Sequence, residues 1–167
     1  MRLDGSMGFS PNVEKDVRRN ISKLRGELTK ADLEKVTGLD LSNNQLTDVK
    51  GLENLTKVTG LHLGNNKLTD VKGLEKLTQL TYLKLYDNKL SDVKGIEKLT
   101  KLRALILDRN QLTDVKGLEN LTKLRYLYLE DNQLTNVKGL EKLWQLEKLN
   151  LKYNPDLTKA QIDELKK

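Results

Sequence analysis

Leucine, valine and isoleucine recur along this chain at one fixed interval. Aligning Val36, Val58, Leu80, Leu102, Leu124 and Leu146 in a column gives a period of 22 residues without a gap. Within a unit, apolar residues fall at positions 1, 4, 6, 11, 14, 17 and 20; in the first these are Val36, Leu39, Leu41, Leu46, Val49, Leu52 and Leu55. Every such position in the five complete units, Val36 to Gln145, is Leu, Val or Ile, and a sixth unit diverges after Asn154. Positions 4 and 6 alternate with polar neighbours, which predicts a short strand with one buried face. Position 9 is always Asn (Asn44, Asn66, Asn88, Asn110, Asn132, Asn154), where a buried amide can bond the turn backbone of its own and adjacent units. The segment that follows, Thr47 to Glu53 in the first unit, predicts a capped helical turn, with Gly51 allowing an irregular backbone. No unit can bury seven apolar side chains by itself, but a stack can.

A stack needs its ends covered. Ser10-Pro11 is a helix start, and Val13, Val17, Ile21 and Leu24 follow as one apolar stripe. Thr29 and Asp32 open a second short helix that leads through Leu33 into the first strand. Beyond the repeats, Thr158 and Gln161 form a capping box, with Ile162 and Leu165 expected against the last unit. The expected organisation is therefore an appended, non-native segment at 1–8 without fixed structure, set off by the second Met after a Gly-Ser pair. A helical cap follows at 9–35, repeats at 36–157 and a cap helix at 158–167.

The pattern L-x-x-L-x-L-x-x-N-x-L-x-x-V-x-x-L-x-x-L-x-x resembles the leucine-rich repeat. Its 22-residue length and the Leu-Thr-Asp-Val-Lys-Gly-Leu-Glu-Lys-Leu-Thr segment are similar to the short class found in bacterial internalins and in a phosphatase-regulating cytosolic protein. The resemblance implies an α/β fold: a right-handed leucine-rich-repeat solenoid with a parallel concave sheet and 3₁₀-like or looped convex turns. What it implies about function is protein binding, not a reaction.

The units differ from one another only in certain columns. Position 13 (Asp48, Asp70, Asp92, Asp114, then Asn136) and position 16 (Gly51, Gly73, Gly95, Gly117, Gly139) hardly vary. Positions 3, 5, 7 and 8, expected as strand positions that point away from the core, vary freely, and all five tyrosines lie in them: Tyr82, Tyr86, Tyr126, Tyr128 and Tyr153. Tyrosine is rigid and amphipathic, which suits recognition surfaces. Strand propensity alone also favours aromatics, but does not explain Gly38, Gly60 or Ile106 in the same columns. With strands about 4.8 Å apart, Tyr82 and Tyr126 stand about 10 Å apart across Ala104, a notch with Ile106 and Tyr128 at its margin. Asp87, Arg109 and Asp131 are expected as an alternating charge row beside it. The expected contact surface is units three to six: Tyr82, Lys84, Tyr86, Asp87, Ala104, Ile106, Asp108, Arg109, Tyr126, Tyr128, Glu130, Asp131 and Tyr153.

Composition narrows the chemistry. The 167 residues carry 30 Lys and Arg against 24 Asp and Glu, a net charge of +6, with no Cys and one His. That excludes disulfides, thiolate metal sites, a cysteine nucleophile and any site needing two imidazoles. His62, between Asp40 and Lys84, lacks a nucleophile beside it, so no catalytic residue is expected. The Asp48 column reads as turn capping rather than a cation ladder, so neither metal nor cofactor is expected. The variable columns hold five acids and four bases, a balance unsuited to phosphate neutralisation, so nucleic acid is not an expected partner. No apolar run is long enough to span a membrane. The expected partner is a protein or peptide and the expected state a monomer. The alternatives are a structural or self-associating repeat protein and an engineered consensus scaffold. Compartment stays open between the cytoplasm, favoured by the lack of Cys and of a leader, and secretion from a bacterium with the leader removed. Trp144, where other units have Thr, is expected to pack under the C-terminal cap.

Overall fold

The structure is a computed structural model and describes residues 7–165. Six three-residue strands, β1 (Gly38–Asp40), β2 (Gly60–His62), β3 (Tyr82–Lys84), β4 (Ala104–Ile106), β5 (Tyr126–Tyr128) and β6 (Lys148–Asn150), form one parallel sheet in chain order. The register is a shift of one unit at every step: Leu39 lies beside Leu61, then Leu83, Leu105, Leu127 and Leu149. The opposite side is built of 3₁₀ turns such as Leu52–Asn54 and Leu118–Asn120. Between sheet and turns lies one continuous core in which most of the repeated Leu and Val side chains are inaccessible to water. Each such side chain contributes about 1.5–3 kcal/mol on burial, which is why the apolar columns tolerate no polar exchange.

The polar columns hold this core in register. The position-9 amides are buried from Asn66 onward. Asn88 shows the pattern: its Nδ2 donates to the Leu63 and Leu85 carbonyls (2.9 and 3.1 Å), and its Oδ1 accepts from the Leu68 N–H (3.0 Å). Each amide thus joins two units and satisfies backbone groups that the turn strips of partners. The position-13 carboxylates of Asp48, Asp70, Asp92 and Asp114 accept from the N–H of the Lys two residues on, at 2.9–3.1 Å. The position-16 glycines adopt φ from 90 to 108°, a region closed to most side chains. Each of their N–H groups donates to the Glu two residues later, as Gly73 does to Glu75.

Both ends carry helices. α1 (Pro11–Asn20) is N-capped by Ser10 and buries Val13 and Val17. The stripe ends earlier than its spacing predicts: α1 stops at Asn20, Ser22 takes φ 56°, and Leu24 points outward, 74% exposed. α2 (Lys30–Leu33) has the Thr29–Asp32 capping box, and the same Asp32 carboxylate accepts from Lys23 Nζ at 2.6 Å. α3 (Lys159–Glu164) is capped by Thr158 and Gln161, and Gln161 also donates to the Thr135 carbonyl. Of the segment expected at 1–8, residues 1–6 lie outside the described residues. Met7 packs on the core and its carbonyl accepts from Asn54 Nδ2 (3.0 Å), while Gly8 and Phe9 lie close over Gly51.

Candidate functional site

The parallel register sets positions 3 and 5 of neighbouring units side by side on the concave face. Tyr82, Ala104 and Tyr126 form one row, and Lys84, Ile106, Tyr128 and Asn150 the next. Ala104 is the floor between its two aromatic neighbours, 7% exposed. The Tyr82 ring lies 5.4 Å from His62, tilted by 58°, and Lys84 Nζ sits 5.4 Å from its centroid. Lys148 Nζ makes the same approach to Tyr128. These rings are therefore steadied by stacking and by cation–π attraction, worth about 0.5–1 kcal/mol each at exposed positions.

Tyr126 is held from a column that the pattern of apolar positions did not single out. Its hydroxyl donates to Glu147 Oε2 at 2.8 Å, and Glu147 also pairs with the Arg125 guanidinium. These hydrogen bonds hold the Glu147 carboxyl below its usual range and raise the Tyr126 phenol above its own. Arg125 and Glu147 occupy position 2, where the first three units have Thr37, Thr59 and Thr81 and the fourth Arg103. That change from Thr to charge is the signal by which the column could have been found.

Positions 7 and 8 behave differently from a strand face. Tyr86 lies across Gly64 of the preceding unit: a Cβ on Gly64 would come within 2.3 Å of the ring. One face of this tyrosine is thus spent on the fold. Position 8 is left-handed in every unit, with φ 62, 53, 51, 53, 55 and 54° at Asn43, Asn65, Asp87, Arg109, Asp131 and Tyr153. Asn and Asp dominate the column because they tolerate this conformation. The column therefore belongs to the turn after the strand, which corrects its reading as a strand position turned away from the core. Arg109 and Tyr153 are the exceptions. Arg109 donates through Nε and a terminal nitrogen to Asp87, at 2.6 and 2.7 Å, whereas the Tyr153 side chain is 72% exposed. The charge row is thus uneven, with a two-pronged pair at Asp87 and Arg109 and Asp131 influencing Arg109 only through its field.

Beside that row, Asp108 is half-buried and its Oδ1 accepts from the Glu130 N–H at 2.8 Å. Burial, with the Glu130 and Asp87 charges nearby, outweighs that bond and raises its carboxyl above the usual range. Glu130 in turn accepts from Asn150 Nδ2 at 2.6 Å. Across units three to five the face has three bands: Arg103 and Arg125 along one rim, the Tyr82–Ala104–Tyr126 and Lys84–Ile106–Tyr128 rows in the middle, and Asp87, Asp108, Glu130 and Asp131 along the other. His62 Nδ1 approaches Asp40 Oδ2 at 3.5 Å, and its other neighbour is the Tyr82 ring. Among the described residues, no three His, Asp or Glu side chains converge as a metal site. Trp144 is 77% exposed, not packed under the cap: it stands at the mouth of a cleft between the sixth unit and α3.

The family model for leucine-rich repeats in two copies matches residues 34–76, 78–121 and 122–167. The chain belongs to the leucine-rich repeat family. Among solved structures, this leucine-rich repeat protein is similar to the functional domain of InlJ from Listeria monocytogenes, with 30% identity and a TM-score of 0.83 over 92% of this chain and 33% of that one. That domain includes a cysteine ladder, whereas this chain has no cysteine. It is also similar to an internalin C2 of L. monocytogenes str. 4b F2365, at 25% identity and TM-score 0.65, covering 90% of this chain and 82% of that one. An internalin, inlF, of the same strain matches at 25% identity and TM-score 0.66 over 81% of this chain and 47% of that one. The repeats are thus of the bacterial internalin type. No curated protein sequence matches the chain.

Proposed function

We propose that this leucine-rich repeat protein is a non-enzymatic binding module that holds a protein or peptide on the concave face of units three to six. Leucine-rich repeat proteins are in general protein-interaction modules. The observation that carries the finer reading is the band of tyrosines over β3 to β5, with Ala104 as a floor between two rings and Ile106 beside Tyr128. Rings that are rigid before a partner arrives lose little entropy on contact. Tyr82, Tyr126 and Tyr128 are the anchors, with basic groups on one rim and carboxylates on the other orienting the partner. Lys84, Tyr86, Asp108, Arg109, Glu130 and Tyr153 complete the margin. Both signs of charge on one face speak against nucleic acid, and among the described residues no helix is long and apolar enough to cross a membrane.

The test is a peptide selected from a displayed library on the immobilised protein, its affinity then measured against the Tyr126→Ala/Tyr128→Ala variant. Loss of binding by more than about tenfold, about 1.4 kcal/mol, with an unchanged circular dichroism spectrum is expected. Undiminished affinity of the variant would put the binding surface elsewhere.

A further inference from the structure

Five times along the solenoid, one unit closes against the next in the same manner. The N–H groups of positions 6 and 8 donate to the following unit, as Leu129 does to the Asn150 carbonyl (2.9 Å) and Asp131 to that of Lys152 (3.0 Å). The carbonyl of position 2 accepts two N–H groups from it, as Arg125 does from Glu147 and Lys148. In the sixth unit the corresponding groups, the N–H of Leu151 and Tyr153 and the carbonyl of Glu147, have no partner among the described residues. The apolar side of this edge is open as well. Leu127 and Leu129 are fully buried, whereas Leu149 and Leu151 are only partly so. They line a cleft of about 600 Å³ with Leu146, Ile162, Leu165 and the exposed Trp144. α3 therefore covers the end incompletely.

We propose that the β6 edge is a second binding site, which takes an extended segment of another protein as a seventh parallel strand. The five interfaces already present serve as its template, and they specify the occupant. Beside Leu149 and Leu151 it must place two apolar residues separated by one, aimed into the cleft. Its concave-side residues fall beside Lys148, Asn150 and Lys152. On the concave side of this edge Glu147 is neutralised by the Arg125 guanidinium and bonded by Tyr126, while Lys148, resting on the Tyr128 ring, and Lys152 keep their charge without a carboxylate partner among the described residues, so the fitting segment is acidic at the flanking positions. The same lysines argue against a second copy of this chain. Antiparallel pairing of two β6 edges about Asn150 would set Lys148 opposite Lys152, a like-charge contact of the kind that blunts sheet edges.

Trp144 is the chain's one tryptophan and reports on the cleft directly. The probe is a synthetic, end-blocked peptide Thr-Glu-Leu-Thr-Leu-Glu-Asn, titrated into the full chain. Saturable change in Trp144 emission is expected, together with at least tenfold slower hydrogen exchange at the Leu151 and Tyr153 amides. A control of the same composition with its leucines adjacent produces neither. The Lys148→Glu/Lys152→Glu variant, exposed and outside the core, loses the acidic probe and gains its lysine-bearing counterpart. Tyr82 of the concave band touches His62 and Lys84 and no group at this edge, so Tyr82→Ala binds the probe as well as the parent. No emission change up to the solubility limit of the peptide overturns the proposal, as does loss of binding in the Tyr82→Ala variant. Sedimentation showing a dimer that protects the same amides would replace the acidic segment with a second copy.

Discussion

Removing one position-9 amide should cost very different amounts in different units, although the residue and its setting look the same. In Asn88→Ala, the Leu63 carbonyl keeps the Nδ2 of Asn66, and the Leu85 carbonyl keeps that of Asn110. The Tyr86 carbonyl keeps the Asn65 N–H. The group left orphaned is the Leu68 N–H, so the cost is about 1–3 kcal/mol. Asn66→Ala has no such relief. Asn66 Oδ1 accepts from both Asn44 and Leu46, and its Nδ2 is the amide that serves the Leu41 carbonyl, because Asn44 turns its own amide to Asp16 and Ser42. Up to three groups lose their partners, and the cost rises to about 3–5 kcal/mol. At about 2–4 °C per kcal/mol for a chain of this size, Asn66→Ala should lower Tm by roughly 10 °C and Asn88→Ala by roughly half that. Thermal melts followed by far-ultraviolet circular dichroism decide it. Equal losses, or a larger loss at Asn88, would mean that sharing of carbonyls between amides does not govern the column.

Gly64→Ala should cost about 1 kcal/mol by turning Tyr86 off its seat, and almost nothing in a Tyr86→Ala background; urea titrations of the double-mutant cycle measure the coupling. The Asp32 carboxyl is held far below its usual range by Lys23 and the Thr29 cap. Its contribution is therefore complete above about pH 4, the unfolded value, and is lost as pH falls further. Asp32→Asn should accordingly destabilise the protein at pH 7, and the difference from the parent should shrink in urea titrations toward pH 2. Asp108 has the opposite sign: its raised carboxyl favours the folded state more once protonated. Asp108→Asn, which keeps an oxygen for the Glu130 N–H, should be neutral or stabilising at pH 7, with no advantage below about pH 4.

The repeat was legible because its apolar columns never err, and burial of a Leu at positions 4 and 6 leaves no other register for the strands. The starts of the end helices were legible where a side chain bonds its own backbone, as at Ser10, Thr29 and Thr158. The reading failed where a local signal competes with chain direction. Leu24 keeps helical spacing but follows a break at Ser22, and Trp144 is large and apolar but lies outside the face that α3 covers. In the candidate face, the rows at positions 3 and 5 follow from strand alternation alone. Position 8 does not, because left-handed backbone is written only in the Asn and Asp bias of the column, and Arg109 and Tyr153 obscure it. The Tyr86–Gly64 and Tyr126–Glu147 contacts join residues 22 and 21 positions apart, and no period identifies which tyrosine rotamer makes them.

Because the sheet and amide hydrogen bonds of a unit reach only to its immediate neighbours, no tie runs the length of the molecule. Under a stretching force applied at its termini, such a body yields in sequence and not all at once. The first slack should appear at β6, one flank of which has no strand among the described residues, and each later step should release one more length of 22 residues. Extension should therefore begin at the end farthest from α1.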